Sequence, residues 1–292
     1  MRRSLEHALQ QALGVAVKSQ RRLSGGDIND AFELELEDGA RVFLKTNESA
    51  APEMFPAEAA GLAFLREAGA LRIPEVIAVS DASAPGPAFL VLELLEPGRP
   101  APGFDERLGQ GLAQLHRFGA PSFGSSRDNF IGSLPQRNRA HASWADFYWR
   151  ERLEPQLERA VAAGRASARL RRGFERLAAR LPELVGPSEP PARLHGDLWG
   201  GNLHVDAAGA PCLIDPAAYA GHREVDLAMM QLFGGFGERV FAAYGEAFPL
   251  APGHAERVPL YQLYPLLVHV NLFGGGYAES VERGLARYVR LD

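Results

Sequence analysis

Three residues placed around one short hairpin carry the clearest chemistry in the sequence. In LHGDLWGGNLHVDAAGAPCLID, Leu194 to Asp215, Asp197 is followed five residues later by Asn202, and Asp215 closes the next apolar strand. A carboxylate can orient a hydroxyl and accept its proton, while an amide and a second carboxylate supply hard oxygen donors for magnesium-bound phosphates. That combination is the layout of phosphoryl transfer from a nucleotide to an alcohol. His195-Gly196 suits a tight turn that presents the first carboxylate. Taken singly, Asp197 reads as a surface-turn acid, Asn202 as a turn former beside Gly200 and Gly201, and Asp215 as an Asx turn before Pro216. None of these readings explains why the three share one hairpin. Zinc is not expected, because His195, His204 and His222 lack a ligand spacing.

Two further groups belong to the same chemistry. Lys45 ends the predicted strand VFLK, where it can neutralise nucleotide phosphates. Glu58, thirteen residues on, is the preferred acidic partner on the next helix, with Glu53 the alternative. An exposed edge-strand lysine is the plainer reading. SGGDIND, residues 24–30, is neither GxGxxG nor a Walker A loop. It falls where a phosphate-covering turn belongs, so Gly25, Gly26 and Asp27 are candidates to cap phosphates with backbone amides. In LELLE, the Glu93 carbonyl and the Leu95 amide are candidates to bind adenine, by analogy with kinase hinges.

The elements that must position these residues fall into two sets. Leu5, Leu9, Ala12 and Leu13 share one helical face. Residues 15–23, 31–37 and 41–45 read as strands, with Asp38-Gly39 a hairpin signal. Residues 53–68 read as a helix with Pro56 near its start, and strands follow near 75–80 and 88–95. Glu96-Pro97-Gly98 marks a hinge. Helices are expected over 105–118, 143–163 and 166–181, then the loop 186–191, a short strand before His195, and helices after Asp215. The expected fold class is α+β: a two-lobed, protein-kinase-like fold with a small antiparallel-sheet lobe and a large helical lobe. Residues 1–96 form the nucleotide-binding lobe in this reading, and 97–292 the catalytic and substrate lobe.

Bulk properties narrow the partners. With 292 residues, 46% hydrophobic and 23% charged, the chain has an ordinary globular composition. Its net charge of -5 disfavours nucleic acid as a main partner. The cluster Arg165, Arg169, Arg171 and Arg172 reads as a solvated helix face. The single cysteine, Cys212, forms no internal disulfide and fits a reducing compartment as a buried thiol. Glu6, His7, Gln10 and Gln11 interrupt any signal-peptide core, and no apolar run is long enough to span a membrane. A cytoplasmic, monomeric enzyme is expected.

The chain resembles the fructosamine kinase (ketosamine-3-kinase) family, within the wider aminoglycoside-phosphotransferase-like and choline-kinase-like folds. The resemblance covers nearly the whole chain. It rests on SGGDIND, FLKTN, EAAGLAFL, DNFIGSLPQRN (128–138), WADFYWRERLEPQL (144–157), HGDLWGGN and LIDPAAYAGHREVDLAM. The HGD turn and later Asp are common to all these small-molecule kinases, whereas HGDLWGGN and NFIGSLPQ are particular to the family. The resemblance implies ATP-dependent phosphorylation of the 3-hydroxyl of a ketosamine, as a small molecule or on glycated lysine or protein. The unstable product then releases its amine, a deglycation repair. It also implies Asp197 as base, Asn202 and Asp215 as ligands of Mg2+, and Lys45 with Glu58 on the phosphates of ATP. Trp199 either stacks on the sugar or anchors the core under the catalytic loop. Asp226 resembles the acid that anchors that loop, the alternative being a first-turn helix acid. Some relatives carry a redox-switch cysteine in the phosphate loop; this chain has Ser24 there, so no switch is expected. A different acceptor (aminoglycoside, choline, homoserine or a plain sugar) is the competing reading, for which Glu175, Glu183, Glu224 and Glu238 are candidate acids. A catalytically dead nucleotide-binding module is disfavoured, because Lys45, Asp197, Asn202 and Asp215 are all present.

Overall fold

Alternation that turns Leu34, Leu36, Val42 and Leu44 inward in DAFELEL and RVFLKT builds the first sheet. The computed structural model describes residues 3–23, 29–83 and 86–292. Helix α1 (Arg3–Leu13) precedes strands β1 (Val17–Leu23), β2 (Asp30–Leu36) and β3 (Arg41–Thr46); α2 (Met54–Arg66), β4 (Val76–Val79) and β5 (Phe89–Glu93) follow. The five strands form one antiparallel sheet in the order β1-β2-β3-β5-β4. Strand β5 lies inside it, and its unbroken apolar run is buried on both faces. Phe89 and Val91 pack with Leu5 and Leu9 of α1 and with Leu34 and Leu44. Leu90 and Leu92 point the other way, to Phe55, Leu62 and Leu65 of α2. Strand β1, at the edge, exposes Lys18, Arg21 and Arg22, the charged composition that discourages edge pairing. The strands expected over 75–80 and 88–95 are shorter. A register shift interrupts β4 between Val76 and Ala78, and the chain leaves β5 at Leu94 toward the hinge.

Beyond the hinge the chain is mostly helical. Phe104, Leu108, Leu112 and Leu115 make the buried stripe of α3 (Phe104–Phe118). They join the core begun by α2 and β5, which continues through Leu198, Leu213, Leu227 and Tyr244, so the sheet and the helices share it. Hairpin β6 (Asn129–Ile131) and β7 (Leu134–Gln136) comes next. Helix α4 (Trp144–Phe147) runs through a π-helical turn, Tyr148–Leu153, into α5 (Glu154–Ala162). Ser143 caps the start, its Oγ accepting from the Asp146 amide. Helix α6 (Ala168–Leu184) runs past the expected end at 181 and carries Pro182 in its last turn, where the backbone bond to the Ala178 carbonyl is forgone. Of the arginine cluster, Arg165 and Arg169 donate to the Val270 and Leu291 carbonyls, so that face is partly committed to packing. Strand β8 (Ala192–Leu194), hairpin β9 (Leu203–Val205) and β10 (Pro211–Leu213), and β11 (Tyr219–Gly221) carry the motif of the opening paragraph. Helices α7 (Glu224–Phe233), α8 (Glu238–Ala247), α9 (His254–Phe273) and α10 (Tyr277–Leu285) complete the fold. Among the described residues no helix is long and apolar enough to cross a membrane.

Candidate active site

Strand β8 delivers the chain into a turn that is bonded from behind. Gly196 has φ +79°, and a Cβ there would lie 2.2 Å from the Ala217 carbonyl oxygen, so only glycine fits. The fully buried Asp226 carboxylate accepts from the His195 and Gly196 amides at 2.7 and 2.9 Å. His116 Nε2 lies 3.3 Å from the same carboxylate, and its other ring nitrogen lies 2.9 Å from the Tyr244 hydroxyl. His195 is also fully buried. Its Nε2–H donates to the Ile214 carbonyl at 2.9 Å, which leaves Nδ1 to accept from the Asp197 amide at 3.3 Å. Burial pushes this imidazole's pKa down, so the neutral ring ties β8 to the end of β10.

The turn presents Asp197 to the cleft. Burial raises its carboxyl to about 7, with the charges of Asp215 and Asp226 adding to the effect and a hydrogen bond from Asn202 opposing it. A proton acceptor near neutrality is the form in which a carboxylate works best as a general base. Asn202 Nδ2 donates to the Asp197 carbonyl at 2.8 Å and to Asp197 Oδ2 at 3.1 Å. With its amide hydrogens so directed, Oδ1 is the Asn202 atom left for a cation. Asp215 is the one non-glycine residue with positive φ among the described residues, at 54°, a conformation Asp tolerates better than most. Its carboxylate lies 2.9 Å from Lys45 Nζ. An amide oxygen and a carboxylate are donors that magnesium accepts while keeping waters and phosphate oxygens. No group of three or more His, Cys, Asp or Glu side chains disposed for a metal occurs among the described residues.

Lys45 is buried on β3, with Glu58 of α2 also 2.9 Å away. Glu53, the alternative partner, is exposed just before α2. Burial pulls the Lys45 pKa down, but the Glu58 and Asp215 carboxylates outweigh it and leave it raised. The ammonium therefore stays charged. Burial raises Glu58, against the pull of Lys45.

All these groups line one cleft of about 1070 Å³ between the sheet and the helices. Lys45, Glu58, Glu93, Leu95, Asp197, Trp199, Asn202 and Asp215 all line it, while His195 and Asp226 stand behind its wall. Gly25, Gly26 and Asp27 lie outside the described residues, as does Ser24. Trp199 is 44% exposed, which excludes the core-anchor reading. Its indole lies over Gly201, and Gly200 donates its amide to the Gly234 carbonyl at 3.1 Å, so both glycines are needed for close approach. Glu175, Glu183, Glu224 and Glu238 do not line the cleft. Glu224 is buried against Arg257, and Glu175 pairs with Arg171 on the surface of α6. Cys212 is buried on β10, and burial pushes its thiol up to about 12, an unreactive form.

Two parts of the site escaped the sequence reading. The first is an aromatic wall on the helical side. Phe233 stacks on His269 at 4.5 Å, and Phe273 and Tyr277 flank that ring at 5.3 and 5.0 Å. The i,i+4 pair His269 and Phe273 at the end of α9 was the available signal; Tyr277 joins them only because the chain turns at Gly274–Gly276. The second is a polar net under the NFIGSLPQ hairpin. Asn129 donates to the Ala218 carbonyl at 2.9 Å, and Gln136 donates to Asn129 Oδ1 and to the Ala217 carbonyl at 2.8 and 3.1 Å. Arg152, in the π-helical turn, donates to Asn138 Oδ1 at 2.6 Å and lies 3.8 Å over the Tyr219 ring. The hairpin is thus bonded to the segment that follows Asp215.

Comparison with known proteins agrees with this geometry. The model of the fructosamine kinase family matches residues 1–290. A Synechocystis sp. protein assigned as a ketoamine kinase is 41% identical over 281 residues, 94% of this chain and 92% of its own length. The chloroplastic protein-ribulosamine 3-kinase of Arabidopsis thaliana is 36% identical over 271 residues, covering 92% of this chain and 82% of the relative. A Thermobifida fusca crystal structure assigned as a fructosamine-3-kinase superposes with a TM-score of 0.88 at 37% identity, over 97% of this chain and 98% of that one. An aminoglycoside phosphotransferase, in a ternary complex with AMP-PNP and hygromycin B, shares the fold at 16% identity and a TM-score of 0.58, with 99% of each chain covered. The chain belongs to the fructosamine kinase family.

Proposed function

We propose that this member of the fructosamine kinase family transfers the γ-phosphoryl group of ATP to the 3-hydroxyl of a ketosamine, a fructosamine or ribulosamine adduct free or on a glycated lysine or protein. One observation carries the reading: the Asp197 carboxylate, the buried Lys45 ammonium and an aromatic wall line the same cleft. In this reading residues 1–96 hold the nucleotide and 97–292 the acceptor. Glu93 and Leu95 meet adenine, and the 24–30 loop covers the phosphates.

Asp197 takes the proton of the attacking hydroxyl as the bond from O3 to the γ-phosphorus forms and the bond to the β-phosphate oxygen breaks, releasing ADP. The hydrogen bond from Asn202 to Oδ2 fixes the plane of that carboxylate, so its other oxygen faces the acceptor. Lys45, held by Glu58, offsets phosphate charge at little reorganisation because it is already buried and paired. Asn202 and Asp215 would hold Mg2+, which when bound supplies charge neutralisation on the phosphates. Trp199 and the wall at Phe273 offer flat apolar faces to the C–H side of a sugar ring. Polycationic aminoglycosides call for an acidic acceptor wall, and the helical side of the cleft carries aromatic residues instead. Phosphate on C3 becomes a leaving group once the neighbouring carbonyl enolises toward C1, which frees the amine as repair requires. The single buried thiol fits a reducing compartment such as the cytoplasm, and the net charge of -5 disfavours a nucleic-acid partner; a monomer is the simplest assembly for this reading.

The test is ADP release with magnesium and ATP across ketosamines of different sugars, with an aminoglycoside, choline and the free sugars as controls. Turnover confined to ketosamines is expected. Faster turnover of any control would transfer the assignment to that acceptor.

A further inference from the structure

We propose that Arg72 is a positioning residue that ties the adenine-side hinge to the hairpin bearing the metal-side residues; the inference rests on the nucleotide reading above. Arg72 lies between α2 and β4, outside the cleft lining. Its guanidinium forks between two carboxylates from distant parts of the chain. Nη2 donates to Glu93 Oε1 at the end of β5, and Nη1 donates to Asp206 Oδ2, 2.7 Å away, in the turn between β9 and β10.

Neither carboxylate is free to swing. The second oxygen of Glu93 accepts from the Glu75 amide at 3.2 Å. That of Asp206, a buried residue, accepts from the Ala208 and Ala210 amides at 3.0 and 2.8 Å. The main chain doubles the tie on both sides. Leu213 donates its amide to the Arg72 carbonyl at 2.9 Å, and Gly98, in the hinge, donates to the Val205 carbonyl at 2.8 Å. Pro97 bridges to Asp206. Hinge, Arg72 and hairpin thus form one junction, and the hairpin's two roots are Asn202 and Asp215.

An exposed ion pair within one helix, such as Arg171–Glu175, holds nothing in place that the helix does not already hold. The Arg72 fork is different in kind, because it fixes the spacing between the segment expected to meet adenine and the segment expected to meet the phosphates. A planar guanidinium can serve two carboxylates at once, whereas a lysine ammonium presents a point charge. Loosening the junction should therefore weaken nucleotide binding while leaving acceptor binding alone.

The experiment compares the full-length wild type with Arg72→Met, Arg72→Lys and Asp206→Asn. Asp206→Asn keeps an acceptor for the turn amides while removing the charge that Arg72 meets, so it tests the tie without dismantling the turn. The readings are the Kd of magnesium-ADP by calorimetry, and KM for ATP and for the ketosamine. We expect Kd and KM for ATP to rise about 10-fold in Arg72→Met and Asp206→Asn. Arg72→Lys should fall between, KM for the ketosamine should hold within about 2-fold, and Arg72→Met/Asp206→Asn should be no worse than Arg72→Met, since the Arg72–Asp206 link is already gone in Arg72→Met. A merely structural residue would lower the melting temperature and the active fraction without moving KM or Kd, and that result overturns the proposal. Absence of nucleotide binding by the wild type is a separate outcome: it overturns the phosphotransferase reading and this proposal with it.

Discussion

Between His195 and Asp226 the polar groups behind the cleft are buried and bonded to one another: two amides on one carboxylate, an imidazole spanning two strands, an asparagine gripping the Asp197 carboxylate. On β1 and β2 the paired charges are mostly in water. Lys18 meets Glu35 at 2.6 Å with 53% and 39% of the side chains exposed, and Arg21 and Arg22 pair across the same edge. Similar chemistry therefore has opposite consequences. A buried donor left unpaired loses its solvation outright, whereas an exposed pair exchanges one set of water contacts for another. Preorganisation belongs to the floor of the cleft, whereas the outer pairs of the ladder, Lys18–Glu35 and Arg22–Asp30, stand on an exposed edge that their charges protect from pairing.

The largest break in this contrast is Asp197→Ala. Turnover should fall by about 10²–10⁴, while magnesium-ADP still binds by calorimetry. Retained turnover would remove Asp197 from the reaction. Next, Asp226→Ala strands two buried amides and the His116 ring nitrogen, so chemical denaturation should show a loss of about 2–5 kcal/mol along with lost activity. A stable, active variant would show that the turn is held by other contacts.

A third test sharpens the contrast through pH. Burial raises Asp197 to about 7, aided by the charges of Asp215 and Asp226 and opposed by Asn202. The unfolded chain gives up that proton at about 4, so between the two values the folded state binds more protons. The contribution of Asp197 to stability therefore falls as pH rises from about 4 to about 7 and stays lost above. Asp197→Asn should be inactive yet more stable than the wild type at pH 8, by ~1–3 kcal/mol, with the gain shrinking toward pH 5. In the wild type, kcat/KM should climb with pH through about 7, as the base loses its proton. A stability difference that does not change with pH would contradict the burial argument. The smallest effect belongs to the roof: Lys18→Ala should change neither the melting temperature nor kcat measurably, and a clear loss in either would mean the ladder does more than dress an edge.

What the sequence disclosed follows the range of the interactions. Asp197, Asn202 and Asp215 were legible because one hairpin brings them together, and Lys45 with Glu58 because a strand and the next helix are close in the chain. The alternation that buries Leu34, Leu36, Val42 and Leu44 was equally local. The pairing of His116 with Asp226 spans 110 residues, and Arg72 with Asp206 spans 134, so no local pattern announces them. Trp199 left two readings open because HGDLWGGN does not say which side of the turn the indole takes. Packing decides it: the ring covers Gly201 and remains half in solvent at the cleft mouth.

The most direct test of the central claim is the position of the transferred phosphate. Incubated with magnesium, ATP and a fructosyl amine, the protein should give a product whose phosphorus couples to the proton on C3 in the NMR spectrum, followed by release of free amine, and Asp197→Asn should give neither. Phosphate on any other carbon, or a phosphorylated product formed equally well by Asp197→Asn, would contradict the account.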